Sequence, residues 1–239
     1  MHYIDAQAEM GAVPALVICP GLSEPAENYR PILSALTERR TIALSFRGRG
    51  KSDAPKTGYS LEQHIEDIRS VVKSAQLPAF YLLGYSRGVS YALGFALRYP
   101  DRIKGLILAE YPAEHKKMPH GWADEYMASY WGEQKGSELM KAHVVNGIEQ
   151  DARQVDFWEV LSQVSCPVLL LRGTGIESLL SAEQAARYIQ CLSQTKVQLE
   201  VFEGAGHTVK EFDLDRFVRT IREFLFGIEA ELSSDKFQK

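Results

Sequence analysis

The chain is short of cysteine, has no excess of basic charge and contains no long apolar run. Its three cysteines, Cys19, Cys166 and Cys191, are a sparse, odd set. Such a set argues against a disulfide framework and for a reducing compartment, so a cytoplasmic location is expected. Cys19 and Cys166 lie among apolar neighbours and read as small buried hydrophobes. No apolar run approaches the roughly 20 residues of a membrane helix, so no membrane partner is expected. The opening stretch MHYIDAQAEM lacks the basic and apolar regions of a secretory signal. Lysine and arginine number 27 against 31 aspartates and glutamates, giving a net charge of −4. No face reads as strongly basic, which argues against a nucleic-acid partner. His115, His120 and His143 have no metal-ligand spacing beside cysteines or carboxylates, and no metal is expected.

What is present is a chain of 239 residues with 45% hydrophobic content, enough for a sizeable core. Repeats, low-complexity tracts and obvious linkers are missing. Short apolar runs at residues 15–19, 41–46, 80–83, 103–109, 167–171 and 197–202 alternate with amphipathic segments. Continuously apolar runs mark strands covered on both faces, as in a parallel sheet. Ser60-Leu61-Glu62-Gln63 and Ser181-Ala182-Glu183-Gln184 are capping boxes that open helices. A stripe from Leu214 to Leu225 forms a last helix, with Gly227 as its expected C-cap. The alternation predicts an α/β fold with a doubly wound, mostly parallel sheet. Residues 112–164 break the rhythm. They place Trp122, Tyr126, Met127, Tyr130 and Trp131 at helical spacing. They read as a helical insertion between core segments 1–111 and 165–239.

The stretch Leu83-Gly84-Tyr85-Ser86-Arg87-Gly88-Val89 sits where an apolar strand gives way to a helix. Ligands of such sheets bind beyond the carboxyl ends of the strands. A sharp turn there lifts the Ser86 hydroxyl clear of the sheet, and Gly84 and Gly88 remove side chains that would clash. The following helix points its free N–H groups at the same place. A serine nucleophile needs a base. Of the six histidines, His207 follows the last strand in the loop Glu203-Gly204-Ala205-Gly206-His207, at the same sheet edge. It is the candidate general base. His2 and His64 read as surface or packing residues. The stretch Gly48-Arg49-Gly50-Lys51-Ser52 is no phosphate-binding loop, because Ser45 stands where the first glycine is required.

With these pieces in order, the chain resembles the α/β-hydrolase superfamily over residues 14–226, and in particular its carboxylesterase- and lactonase-like serine hydrolases with a short helical cap. Gly84-Tyr85-Ser86-Arg87-Gly88 matches the nucleophile elbow and Gly204-Ala205-Gly206-His207 the histidine loop. Phe46-Arg47-Gly48-Arg49-Gly50-Lys51-Ser52-Asp53 matches the R-G-x-G-x-S-D loop. The resemblance implies that 112–164 is the cap and that the backbone N–H groups of Leu22 and Arg87 form an oxyanion hole, although Cys19-Pro20-Gly21 replaces the family's frequent His-Gly. The Arg87 side chain is expected either to attract an anionic substrate group or to lie at the surface. For the acid, the family's aspartate is missing after the strand at 167–171. Glu177 falls in its place and is the expected acid, with Glu110, at the end of the strand at 103–109, as the alternative.

The implied activity is cleavage of a small ester, lactone or thioester through an acyl-enzyme on Ser86, with no cofactor. Small-molecule substrates are the expected partners, of a monomer or homodimer. Two other readings use the same fold: a ligand-binding or signalling protein with little turnover, and a cofactor-free perhydrolase or haloperoxidase-like enzyme.

Overall fold

A computed structural model describes residues 1–8 and 13–234. The parts of the expected core at 9–12 and 235–239 lie outside the described residues. Five strands come first: β1 (His2–Ala6), β2 (Leu16–Cys19), β3 (Thr41–Ser45), β4 (Phe80–Tyr85) and β5 (Ile103–Ala109). Four two-residue strands follow, β6 (Glu114–His115), β7 (Tyr130–Trp131), β8 (Gln134–Lys135) and β9 (Val155–Asp156), and then β10 (Val168–Gly173) and β11 (Val197–Phe202). The helices are α1 (Arg30–Ala35), α2 (Leu61–Ser74), α3 (Gly88–Arg98), α4 (Trp122–Ala128), α5 (Gly136–Leu139), α6 (Ala142–Asp151), α7 (Ala182–Cys191), α8 (Val209–Phe212) and α9 (Leu214–Ser234).

The main sheet has seven strands in the order β1-β3-β2-β4-β5-β10-β11. β1 runs antiparallel to β3, and every other pairing is parallel. Side chains alternate across a strand, and both faces are buried. Val17, Leu82, Leu106 and Leu170 join one cluster with α2, α3 and α7. Ile18, Leu83, Ile107 and Leu169 join another with α1 and α9. This explains the unbroken apolar runs. α7 opens on its capping box, where Ser181 Oγ accepts the Gln184 N–H at 3.2 Å and Gln184 Oε1 accepts the Ser181 N–H at 3.0 Å.

The structure departs from the sequence reading in three places. β1 is an additional edge strand. Its sequence HYIDA carries a charge, and Asp5 pairs with Arg40 at 2.7 Å, so apolarity does not betray it. The aromatic stripe of the insertion is not one helix. α4 ends at Ala128, Ser129 turns extended, and Tyr130 and Trp131 enter a hairpin whose turn holds Gly132 at φ +62°. Gly227 is not a C-cap, because α9 continues through it to Ser234. The apolar stripe through Leu214, Phe217, Val218, Ile221, Leu225 and Ile228 keeps packing on the sheet, and that burial carries the helix past the glycine.

Gly227 is exposed, and a β-carbon there meets nothing within 4 Å. Gly227→Ala should stabilise the fold by about 0.5–1 kcal/mol through the lost freedom of the unfolded chain. Thermal unfolding should show a midpoint about 1–4 °C higher; an unchanged or lower midpoint would contradict an uncapped helix interior at this position.

Candidate active site

Ser86 occupies the turn between β4 and α3 at φ +53°, in the left-handed region. Close approach explains the turn. A β-carbon on Gly88 would stand 2.2 Å from the Cys19 carbonyl oxygen and 2.4 Å from that of Pro20. One on Gly84 would stand 2.7 Å from the Gly88 carbonyl oxygen. Backbone bonds hold the turn: the Ser86 N–H donates to Ala109 O at 2.8 Å, and the Val89 N–H donates to Ser86 O at 2.9 Å.

The Ser86 hydroxyl lies 2.9 Å from His207 Nε2. The other ring nitrogen, Nδ1, faces Glu110 Oε2 at a long 3.4 Å. That spacing is common where a site tightens only around substrate. Tyr85 fixes the histidine loop by donating its hydroxyl hydrogen to the His207 carbonyl at 2.6 Å. Ser86, His207 and Glu110 arise from three strand ends on one edge of the sheet, 24 and 97 residues apart in sequence.

The carboxylate that meets His207 is therefore Glu110 and not Glu177, which corrects the expected acid. Glu110 is fully buried at the end of β5 with φ +58°. Its Oε1 accepts from the Gly173 N–H at 2.6 Å and the Ser178 hydroxyl at 2.9 Å, and its Oε2 accepts from the Leu179 N–H at 3.1 Å. The loop after β10 thus encloses the Glu110 carboxylate with its own donors. Glu177 belongs to that same loop but is exposed, and its side chain lies against Gly206 on the outer side. A carboxylate fixed by three donors holds an imidazole in one tautomer better than a freely hydrated one.

Leu22 lines the cavity beside Ser86, and Arg87 follows the serine in sequence. Their backbone N–H groups donate no hydrogen bond to any acceptor among the described residues. The side chain of Arg87 faces neither a substrate nor the surface. It is buried, donating to His115 Nε2 at 3.2 Å, Lys116 O at 3.0 Å and the Tyr91 hydroxyl at 3.3 Å. The ring of His115 completes the network through Ser90 Oγ at 2.9 Å. A second buried arginine, Arg49, donates to Leu22 O at 2.8 Å and to His64 Nε2 at 3.0 Å, and His64 stacks on Tyr91 at 4.3 Å. Burial first, and then the neighbouring arginine, push the imidazole of His115 down to about 3 and lower that of His64 well below the ordinary value. Both rings are neutral acceptors for the guanidinium groups.

A cavity of about 300 Å³ opens beside Ser86 and His207. Leu22, Tyr85, Trp131 and Leu139 give it apolar walls, and Glu24 and Lys210 bring a carboxylate and an ammonium to its lining. Trp131 and Leu139 come from residues 112–164, whose helices α4 and α6 pack on Tyr59 and Leu22. Of the aromatic stripe, Trp131 reaches the cavity, while Tyr126 is buried with Trp122 and Trp131 each 5.2 Å from its ring. Sequence reasoning passed over Glu24, Lys210 and Arg49. Among the described residues no cluster of His, Cys, Asp and Glu is arranged to hold a metal ion, and no helix is long and apolar enough to cross a membrane.

With this geometry in place, the relationships of the chain are consistent. Residues 14–120 match the family described as the alpha/beta hydrolase fold. The chain has the alpha/beta hydrolase fold. It is 23% identical, over 95% of its length and 96% of the relative's, to the putative 2-succinyl-6-hydroxy-2,4-cyclohexadiene-1-carboxylate synthase of Bacillus subtilis. Against the N-formylmaleamate deformylase of Pseudomonas putida it is 25% identical, covering 88% of each chain. In three dimensions it is similar to the enol-lactonase of Burkholderia xenovorans, with a TM-score of 0.75 at 20% identity over 94% of this chain and 96% of that one.

Two outcomes follow from the geometry. Glu110→Gln should lower kcat on an activated ester by roughly 1000-fold or more, because the imidazole loses its orienting anion, while Glu177→Gln stays within a few-fold of the parent. Equal losses would return Glu177 to consideration. Stability should also depend on the buried imidazoles. The folded value for His115 is about 3 against about 6.5 unfolded, so the unfolded chain binds the extra proton. That contribution is complete above about pH 6.5 and is lost as pH falls toward about 3. His115→Gln should flatten the decline in denaturant midpoint across that window; an unchanged slope would mean His115 is not held neutral.

Proposed function

We propose that the protein is a serine hydrolase that transfers the acyl group of a small ester, lactone or thioester to water. The observation that carries this reading is the 2.9 Å contact between Ser86 Oγ and His207 Nε2 at the mouth of a cavity, with Glu110 buried behind the imidazole. In the proposed cycle, Ser86 Oγ attacks the carbonyl carbon while His207 Nε2 takes its proton. The carbonyl π-electrons move onto oxygen, and the N–H groups of Leu22 and Arg87 receive that oxyanion; each donor should be worth about 100–1000-fold in kcat. Collapse of the tetrahedral species expels the leaving oxygen or sulfur, which takes the proton from His207. Water then gives a proton to the same nitrogen and attacks the acyl-enzyme. Collapse releases the acid and returns the proton to Ser86. Glu110 keeps Nδ1 protonated and stabilises the imidazolium.

The cavity supports an uncharged substrate. Among the described residues lining it, Lys210 is the one lysine or arginine, and its ammonium already meets the carboxylates of Glu24 and Glu211. Glu110 adds a further negative charge within reach. A free carboxylate entering here would meet a site of its own sign. This differs from what the names of the Bacillus and Pseudomonas relatives, a carboxylate synthase and a maleamate deformylase, say of those proteins. The hairpin residues Trp131 and Gly132 bound the space above the serine, which favours a short acyl chain. The three unpaired cysteines support a reducing, cytoplasmic setting.

A fluorophosphonate should label Ser86 stoichiometrically, as located by peptide mass spectrometry, and labelling should vanish in His207→Ala. With p-nitrophenyl butyrate and the matching succinate half-ester as substrates, kcat/KM should favour the neutral ester by about tenfold or more, the size of a mismatch of one to two kcal/mol. A folded protein that takes no label would instead favour a ligand-binding role, and a preference for the succinate ester would overturn the uncharged-substrate assignment.

A further inference from the structure

Glu24 lies in the loop that follows β2, two residues beyond Leu22, and Lys210 lies in α8, three residues beyond His207. The two loops meet through these side chains. Glu24 Oε1 is 2.8 Å from Lys210 Nζ. Glu24 Oε2 accepts the Gly21 N–H at 2.9 Å and the Tyr29 hydroxyl at 2.7 Å. Lys210 is only 4% exposed, with its ammonium 4.8 Å from the centre of the Tyr85 ring and 5.3 Å from that of Tyr29. Burial opposes its charge, but Glu24 and Glu211 raise the ammonium above the ordinary lysine value. The same Tyr85 holds the His207 carbonyl. The loop has little slack at Gly21, where a β-carbon would lie 2.8 Å from Glu24 Oε2 and 3.3 Å from Ser86 Cβ.

We propose that Glu24 and Lys210 are positioning residues that fix the distance between the oxyanion donor on Leu22 and the base His207, by joining the segments that carry them through an ion pair whose lysine is buried and whose carboxylate is partly exposed. This inference rests on the hydrolase reading. A hydrogen bond to a charged acceptor is about twice as strong as a neutral one, and here it is spent on the backbone N–H adjacent to the donor. With Gly21 held by Glu24 and the Leu22 carbonyl held by Arg49, the peptide that presents the Leu22 N–H is fixed at both ends. Oxyanion donors act only when placed in advance to within about 0.5 Å. A substrate anchor is the other role open to a pocket lysine, and the two carboxylates on Nζ leave it no unshared charge for that.

The test uses full-length protein, p-nitrophenyl acetate and a fluorophosphonate, with Glu24→Ala, Glu24→Gln, Lys210→Met and the Glu24→Gln, Lys210→Met double variant. A displacement of the donor by about 1 Å corresponds to a rate loss of about 10–100-fold. We expect that loss in kcat and in labelling rate for Glu24→Ala, with KM within about threefold, since the interaction concerns the transition state. Glu24→Gln, which still accepts from Gly21 and Tyr29 but loses the charge that meets Lys210, should lose less than Glu24→Ala and about as much as Lys210→Met. The double variant should lose no more than its worse parent, because both substitutions break one pair. Thermal midpoints identify any variant that has not folded, and should Glu24→Ala be one, the other three variants carry the comparison. Wild-type kcat in folded Glu24→Ala or Lys210→Met, a loss confined to KM, or additive losses in the double variant would each overturn the inference. A wild-type protein that neither labels nor turns over would overturn the hydrolase reading and this inference with it.

Discussion

The carbonyl oxygens of Cys19 and Pro20 lie where a β-carbon on residue 88 would stand, and the site is built around that close approach. It brings the end of β2 against the start of α3. Leu22 thereby lines the cavity beside Ser86, and the serine takes a left-handed turn at φ +53°. A non-glycine residue stays in that region only when its surroundings over-determine it. Here the Ala109 carbonyl takes the Ser86 N–H, and α3 begins at once with its own hydrogen bonds. The seven-stranded sheet supplies the rigidity, since its two buried faces leave the strand ends no freedom to part.

The residues beside the serine are tied into the segment that covers them. Arg87 is bound through its side chain to His115 and Lys116, at the start of residues 112–164, and the Leu22 carbonyl is bound by Arg49. Burying a guanidinium is costly unless its donors are used. These two meet carbonyl oxygens and neutral imidazoles instead of carboxylates, so they hold the structure without adding negative charge near the serine. Arg87 thus links the turn at Ser86 to residues 112–164, and Arg49 links the loop after β2 to α2 through His64.

Glu110 shows how neighbouring strands divide the work. It ends β5, next to the strand that carries Ser86, and the loop after β10 folds over it with the donors Gly173, Ser178 and Leu179. The segment at the end of β10 and after it therefore contributes hydrogen-bond donors to the carboxylate that faces His207 instead of that carboxylate itself. Gly173 and Gly175 let that loop press on the histidine loop, where β-carbons would stand 2.2 and 2.9 Å from the Ala205 carbonyl oxygen.

The sequence by itself determined the strands of the parallel sheet, the capped helices, and the placing of Ser86 and His207 together at one sheet edge. Each of these is written in local pattern: unbroken apolar runs, a capping box, or glycines bracketing a reactive side chain between strand and helix. The tertiary structure decided which carboxylate faces His207, because Glu110 and Glu177 both follow strands and only the path of the loop after β10 says which one is buried against the imidazole. It decided the end of α9, where packing overrides a glycine, and the break after α4, where Gly132 turns a helical spacing into a hairpin. It also decided the direction of Arg87 and the meeting of Glu24 with Lys210, which stand 186 residues apart. Charged side chains carry no periodicity that names their partners; which charges pair is fixed only when the sheet brings distant loops to one edge and excludes water between them.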